Sequence, residues 1–264
     1  MHAQPLALSP MQRTRGQAEV AIEGGKLKRL FTQGSAKAIV LHDPVRPEVV
    51  FLNTSGGLTG GDRLSFLLHT DCGLTATTQT AERAYKASDG SARMDVSMDI
   101  THGRLDWLPQ ETILFDRSAL RRRTRVTLGP QAECLTLEAV VLGRAAMGET
   151  VGDFLLHDLR EITRNGKPVL VEPLKMSADC LAGPATLNGA RAFASLALVA
   201  QGAEDALGPV RTILDEDGVR GAASGFDGKL TIRLMAADGW PLRRQIARLM
   251  AVLRPGPLPR VWQI

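Results

Sequence analysis

The chain of 264 residues has few side chains that grip transition metals. It holds three cysteines (Cys72, Cys134, Cys180) and five histidines (His2, His42, His69, His102, His157), none in C-x-x-C or H-x-x-x-H spacing. That pattern argues against a structural zinc site. An odd, widely spaced cysteine set in a chain long enough for its own core suggests reduced thiols and a cytoplasmic location. Aromatic residues make up only 4%, little material for stacking on nucleic-acid bases. Lysine is scarce too, 7 residues against 25 arginines, with a net charge of +4. No run of about 18 apolar residues is present, so no helix is expected to span a membrane. The opening Met1-His2-Ala3-Gln4-Pro5 lacks a basic segment followed by an apolar one, so no secretory leader is legible.

What the sequence does contain is alternation. Met94, Val96, Met98 and Ile100 alternate with Asp95, Ser97 and Asp99, the period-2 signature of a strand with one apolar face. Leu135, Leu137, Ala139 and Val141 alternate with Thr136 and Glu138, and Leu230, Ile232 and Leu234 with Thr231 and Arg233. The run 193–200, apolar but for Ser195, reads as a strand buried on both faces. Shorter runs at 37–41, 49–52, 64–70 and 170–171 add further strands. Leu242, Ile246, Leu249, Met250 and Leu253 share one helical face, opened by Pro241 and stopped by Pro255. A shorter helix is expected over 209–215, with turns at Asp217-Gly218 and Asp227-Gly228. The sum is a single mainly β, mainly antiparallel domain, 1–264, with a small helical layer from the last quarter.

Familiar catalytic motifs are missing. The loop Asn53-Thr54-Ser55-Gly56-Gly57-Leu58-Thr59-Gly60-Gly61-Asp62 has neither a Gly-Lys-Ser/Thr ending nor a G-x-G-x-x-G frame, and it closes on a carboxylate that would repel phosphate. Ser224 is out of frame for a nucleophile elbow. Carboxylates remain: Asp62, Glu82, Glu111, Asp116, Glu138, Glu149 and Glu172. Taken singly, each reads as solvated; Glu138 falls on the side of its strand away from Leu135, Leu137 and Ala139. Taken as a set, they could line a polar passage for a cation, and oxygen ligands alone would hold a transition metal only weakly. A hydrolase pairing Asp62 with Glu111 or Asp116, as acid and base or as ligands for a catalytic divalent metal, is an alternative. A nucleic-acid binder built on Arg121-Arg122-Arg123-Thr124-Arg125 is another, although solvation at a strand end or turn is the plainer reading of that run.

Five segments, in order and spacing, resemble the urease accessory proteins UreD, called UreH in some bacteria. They are the Asn53 to Asp62 loop, Thr77-Thr78-Gln79-Thr80-Ala81-Glu82-Arg83-Ala84-Tyr85-Lys86, Trp107-Leu108-Pro109-Gln110-Glu111-Thr112-Ile113-Leu114-Phe115, Leu142-Gly143-Arg144-Ala145-Ala146-Met147-Gly148-Glu149, and the closing Leu258-Pro259-Arg260-Val261-Trp262. The resemblance implies a cytoplasmic, non-enzymatic maturation factor with no membrane or nucleic-acid partner. Such a factor would join UreF and the GTPase UreG on urease apoprotein while GTP hydrolysis drives nickel insertion. It also implies two stacked, superhelically arranged β-sheet layers, with no tightly bound cofactor and nickel only in transit through an internal tunnel. The acids lining that path would be Asp62, Glu82, Glu138 and Glu172. On this reading Asp62→Ala would leave the protein folded while slowing urease activation.

Overall fold

In the computed structural model, residues 13–41 and 46–263 are described; Met1 to Pro5, His2 and His42 lie outside them. The strands run β1 (Arg15–Glu23), β2 (Lys26–Gly34), β3 (Ala36–Leu41), β4 (Glu48–Asn53), β5 (Arg63–Thr70), β6 (Leu74–Thr78), β7 (Glu82–Ala84), β8 (Ala92–Ile100) and β9 (Arg104–Trp107). They continue as β10 (Thr112–Leu114), β11 (Ser118–Leu128), β12 (Glu133–Leu142), β13 (Phe154–Arg164), β14 (Lys167–Ser177) and β15 (Ala192–Val199). Helix α1 (Leu207–Thr212), the hairpin of β16 (Val219–Phe226) and β17 (Lys229–Ala236), and helix α2 (Gly239–Leu253) follow. The protein is thus mainly β, with both of its described α-helices in the last quarter.

The strands form two sheets. The first has the order β14-β13-β11-β8-β5-β1-β2; the second runs β16-β17-β15-β12-β9-β6-β4-β3, with β10 on β12 and β7 on β10. From β5 to β13 the chain passes back and forth between them. Strands β5, β8, β11 and β13 lie side by side in the first sheet, and the intervening β6, β9 and β12 do so in the second. Each return brings a strand in parallel to its predecessor, so the two layers wind as one coil. The expected mainly antiparallel pairing is therefore corrected. Nine of the fifteen strand pairings among the described residues are parallel, and antiparallel pairs occupy the ends of the coil. Alternation cannot separate the two cases, because side chains alternate identically in both.

Two apolar cores result. One lies between the sheets and includes Met94, Val96, Met98 and Ile100 from β8, facing Phe51, Trp107 and Val140 of the second sheet's strands. The other lies on the outer side of the second sheet, where Leu242, Ile246, Leu249, Met250 and Leu253 of α2 cover Leu135, Leu137, Leu196, Ile232 and Leu234. Each such fully buried leucine or isoleucine stabilises the fold by about 1.5–3 kcal/mol. Strand β15 is buried on both faces only over its second half, 196–199, beyond Ser195. The β16–β17 hairpin turns at Asp227-Gly228, both with positive φ, the backbone that a two-residue turn needs to match strand twist. Helix α1 begins two residues before the expected 209 and ends at Thr212, with a short 3-10 segment, Ala203–Ala206, leading into it.

Candidate functional site

The helical layer on the second sheet changes what its alternation means. On β12 the residues Leu135, Leu137 and Ala139 face α2. Thr136 and Glu138, on the opposite face, point at the first sheet, not at water. Glu138 is only 7% exposed, so the expected solvent position is corrected: the strand lies in the middle of three layers. The arginine run is corrected as well. It lies inside β11, where Leu120, Arg122, Thr124 and Val126 are buried while Arg121, Arg123 and Arg125 face outward. Counting by twos from Leu128 back to Ser118 would have placed Arg122 on the apolar side.

Register then assembles a charged seam between the sheets. Across β11 and β13, Arg122 is level with Asp158 and Thr124 with Arg160; across β13 and β14, Arg160 is level with Glu172. From the second sheet, Glu138 is level with Ser195 and Ser195 with Arg233. Arg122 forks onto Asp158, with Nε donating to Oδ1 at 3.0 Å and Nη2 to Oδ2 at 2.5 Å. Its Nη1 lies 2.7 Å from Glu138 Oε2 on the facing sheet and donates to Thr112 Oγ1 at 3.1 Å. Thr124 Oγ1 donates to Glu138 Oε1 at 2.8 Å. Burial raises the pKa of Glu138 above the ordinary carboxylate value, although Arg122 pulls against it. Burial opposes the charge of Arg122, but Asp158 and Glu138 outweigh it and hold the guanidinium protonated.

One register step along, Arg160 pairs with Glu172 and also donates to Thr136 Oγ1 at 3.0 Å, Ser195 O at 3.2 Å and Ser195 Oγ at 2.7 Å. Arg233, with its side chain 74% exposed, reaches Glu172 Oε1 at 3.0 Å from outside. Burial would raise the Glu172 pKa, but Arg160 and Arg233 hold it below the usual range. Three arginines (Arg122, Arg160, Arg233) thus face three carboxylates (Glu138, Asp158, Glu172), and each acid is paired, as buried charge requires.

At the other end of the seam lies a cavity of about 40 Å³, counted as room for water centres and enough for about three waters. Glu82 and Glu138 both line it, together with Arg122, Thr112 and the aromatic rings of Phe51, Phe66 and Trp107. Glu82, at the head of β7, receives Asn53 Nδ2 on both oxygens, at 3.1 and 3.3 Å. Burial lifts its pKa to about 7 even so. The rim includes Gly57, whose φ of +151° and close approach to the Tyr85 ring and the Arg83 carbonyl leave no space for a Cβ. Thr80, also on the rim, has φ +61°.

The four expected path residues therefore divide. Glu82 and Glu138 share the cavity, and Glu172 joins through the Arg160 end of the seam. Asp62 stands apart: it is 3% exposed and accepts the backbone N–H groups of Thr14 at 2.7 Å and Thr59 at 2.8 Å, closing the glycine loop it terminates. The sequence does not single out Asp158, Arg122 and Arg160 for the site, because charged residues in strands are ordinarily solvated, nor Ser195, which sits inside an otherwise apolar stretch. The acids of the hydrolase alternative are dispersed. Glu111 pairs with Arg243, and Asp116 accepts the backbone N–H groups of Gly152 and Asp153. No group of three His, Cys, Asp or Glu side chains able to hold a metal ion occurs among the described residues, and no helix there is long and apolar enough to cross a membrane.

Comparison with known proteins supplies a family context for this arrangement. The family model described as UreD urease accessory protein matches residues 14–263. The urease accessory protein UreD of Cereibacter sphaeroides (strain ATCC 17025 / ATH 2.4.3) is 57% identical over 273 residues, covering 97% of this chain and 99% of its own. The protein of the same name from Paracoccus denitrificans (strain Pd 1222) is 49% identical, covering 98% and 96%. That of Rhizobium leguminosarum bv. viciae is 42% identical, covering 96% of each.

Proposed function

Because the chain belongs to the UreD family of urease accessory proteins, we propose that it serves urease maturation as a scaffold and a conduit for nickel. On this reading it works in the cytoplasm with UreF and the GTPase UreG, and GTP hydrolysis drives delivery of the ion to urease apoprotein. It performs no catalysis of its own.

The observation that carries the conduit reading is the charged seam through the sandwich, with the Glu82 cavity at one end and the Glu172–Arg233 pair at the other. A sandwich that needed only stability would do as well with apolar residues there. Glu82, Glu138 and Glu172 instead supply hard oxygen ligands one at a time, each already satisfied by an amide or a guanidinium. Such ligands favour brief contact with a nickel ion over storage. Asp62 contributes by fixing the loop beside the rim, since both of its oxygens serve backbone N–H groups.

The test is to coexpress Glu138→Gln and Glu172→Gln variants with the urease genes and the other accessory proteins. Urease should then be recovered with several-fold less nickel, while pull-down of UreF and UreG is unchanged. Full nickel loading in both variants would refute the conduit and leave the scaffold.

A further inference from the structure

The two buried arginines of the seam are held in different ways. Arg160 is pinned from both sheets: besides Glu172 in its own sheet, it donates to Thr136 Oγ1, Ser195 O and Ser195 Oγ in the facing one. Withdrawing it would strand several buried acceptors. Arg122 is held by a fork to Asp158, its neighbour on the adjacent strand of its own sheet. Only its Nη1 crosses to the other sheet, where it meets Glu138 Oε2. Glu138 keeps Thr124 on its other oxygen, and Nη1 keeps Thr112. Breaking the single Arg122–Glu138 contact therefore frees one carboxylate oxygen and orphans nothing else. That oxygen borders the cavity, which Arg122 also lines, so the space needed for a small withdrawal is present.

We propose that Arg122 is an exchangeable counter-ion: a divalent cation entering the cavity takes its place on Glu138, and the guanidinium returns when the cation leaves. The proposal rests on the conduit reading above and adds a residue to it that the acidic path alone does not require. Its physical content is competition. Glu138 and Asp158 stand on either side of one buried guanidinium, a pair of carboxyl groups that would attract a dication if left without it. The guanidinium occupies both, so an arriving ion must displace a charge-assisted bond and gains only the difference. Arg122 thereby keeps affinity low and dwell time short, a positioning role exerted through Glu138. No bond other than these contacts is made or broken, and charge is conserved on the protein.

The test uses the full chain titrated with NiCl2 by calorimetry. Arg122→Met, which leaves Glu138 and Asp158 uncompensated, should bind nickel at least tenfold more tightly than the wild type, and the double variant Arg122→Met/Glu138→Gln should lose that gain. Should Arg122→Met fail to fold without metal, Arg122→Lys serves instead. Its single ammonium cannot hold Asp158 and Glu138 together with the same geometry, so it should bind nickel several-fold more tightly than the wild type. Wild-type affinity in a folded Arg122→Met or Arg122→Lys protein overturns the proposal, as does a gain that survives Glu138→Gln. Nickel affinity of the chain reads the counter-ion, whereas nickel content of coexpressed urease reads the conduit, so either can fail without the other.

Discussion

Arg254, the residue that follows α2, donates its Nε to Asp106 Oδ2 at 3.1 Å, and Asp106 is completely buried. Arg104 reaches the other oxygen of Asp106 at 2.9 Å, and Arg46 lies 3.0 Å from Oδ2. The C-terminal layer is thus fastened to β9 by charge as well as by the apolar face of α2. Replacing Asp106 by Asn leaves the volume nearly unchanged but removes the buried negative charge that Arg46, Arg104 and Arg254 share. The expected loss is about 3–5 kcal/mol of stability, measured by urea unfolding. A loss below about 1 kcal/mol would show that solvent or other groups compensate the arginines.

Gly57 cannot accept a side chain: an added Cβ would lie 2.5 Å from Tyr85 Cε2 and 2.7 Å from the Arg83 carbonyl oxygen, at φ +151°. Gly57→Ala should cost about 1–3 kcal/mol and displace the rim beside Glu82. Gly56→Ala has open space at its Cβ but φ +82°, so it should be the milder of the two. Equal melting temperatures for both alanine variants would contradict the steric argument.

Asp62 holds two backbone N–H groups from a position 3% exposed. The expectation that Asp62→Ala leaves the fold untouched therefore needs revision. Asp62→Asn should lose about 1–3 kcal/mol, because one amide nitrogen must then face a backbone donor. Any activation defect in an Asp62 variant should track its unfolding midpoint, whereas one in Glu138→Gln should not. Comparing the two variants by chemical denaturation alongside urease nickel content separates a loop tie from a path residue.

The pKa of Asp116 is held below the ordinary aspartate value by the backbone N–H groups of Gly152 and Asp153, with a smaller pull from Arg117. A depressed carboxylate contributes stability that is complete above the unfolded-state value and is lost as pH falls through the folded one. Asp116→Asn should therefore be less stable than the wild type near pH 7, with the gap closing as pH drops below about 4. A gap that stays constant down to pH 3 would mean that the carboxylate charge plays no part.

Much of the fold was legible because a strand with one apolar face announces itself. Met94 to Ile100 and Leu230 to Leu234 are strands as read, and α2 lies where its apolar stripe put it. Pairing direction was not legible, since nothing local to Ser118–Leu128 reveals that its neighbours on both sides run parallel to it. The site was half legible for a related reason. Glu138 stands out within an apolar stretch, but deciding whether its side of β12 meets water or another sheet required knowing that α2 covers the opposite face. Arg122 was hidden by its exposed neighbours Arg121 and Arg123, which made the run look like a solvated patch.

The winding of the chain between the sheets makes its strand pairings distant in sequence. Ser118 is level with Phe154, and Arg63 with Arg93, across segments that lie on the opposite sheet. A chain in which β13 and β14 have not yet docked would expose β11 as an open edge of the first sheet. Contacts this distant in sequence form slowly, and unpaired edges recruit other chains while they wait. Yield on refolding should consequently depend on protein concentration far more steeply than native stability does.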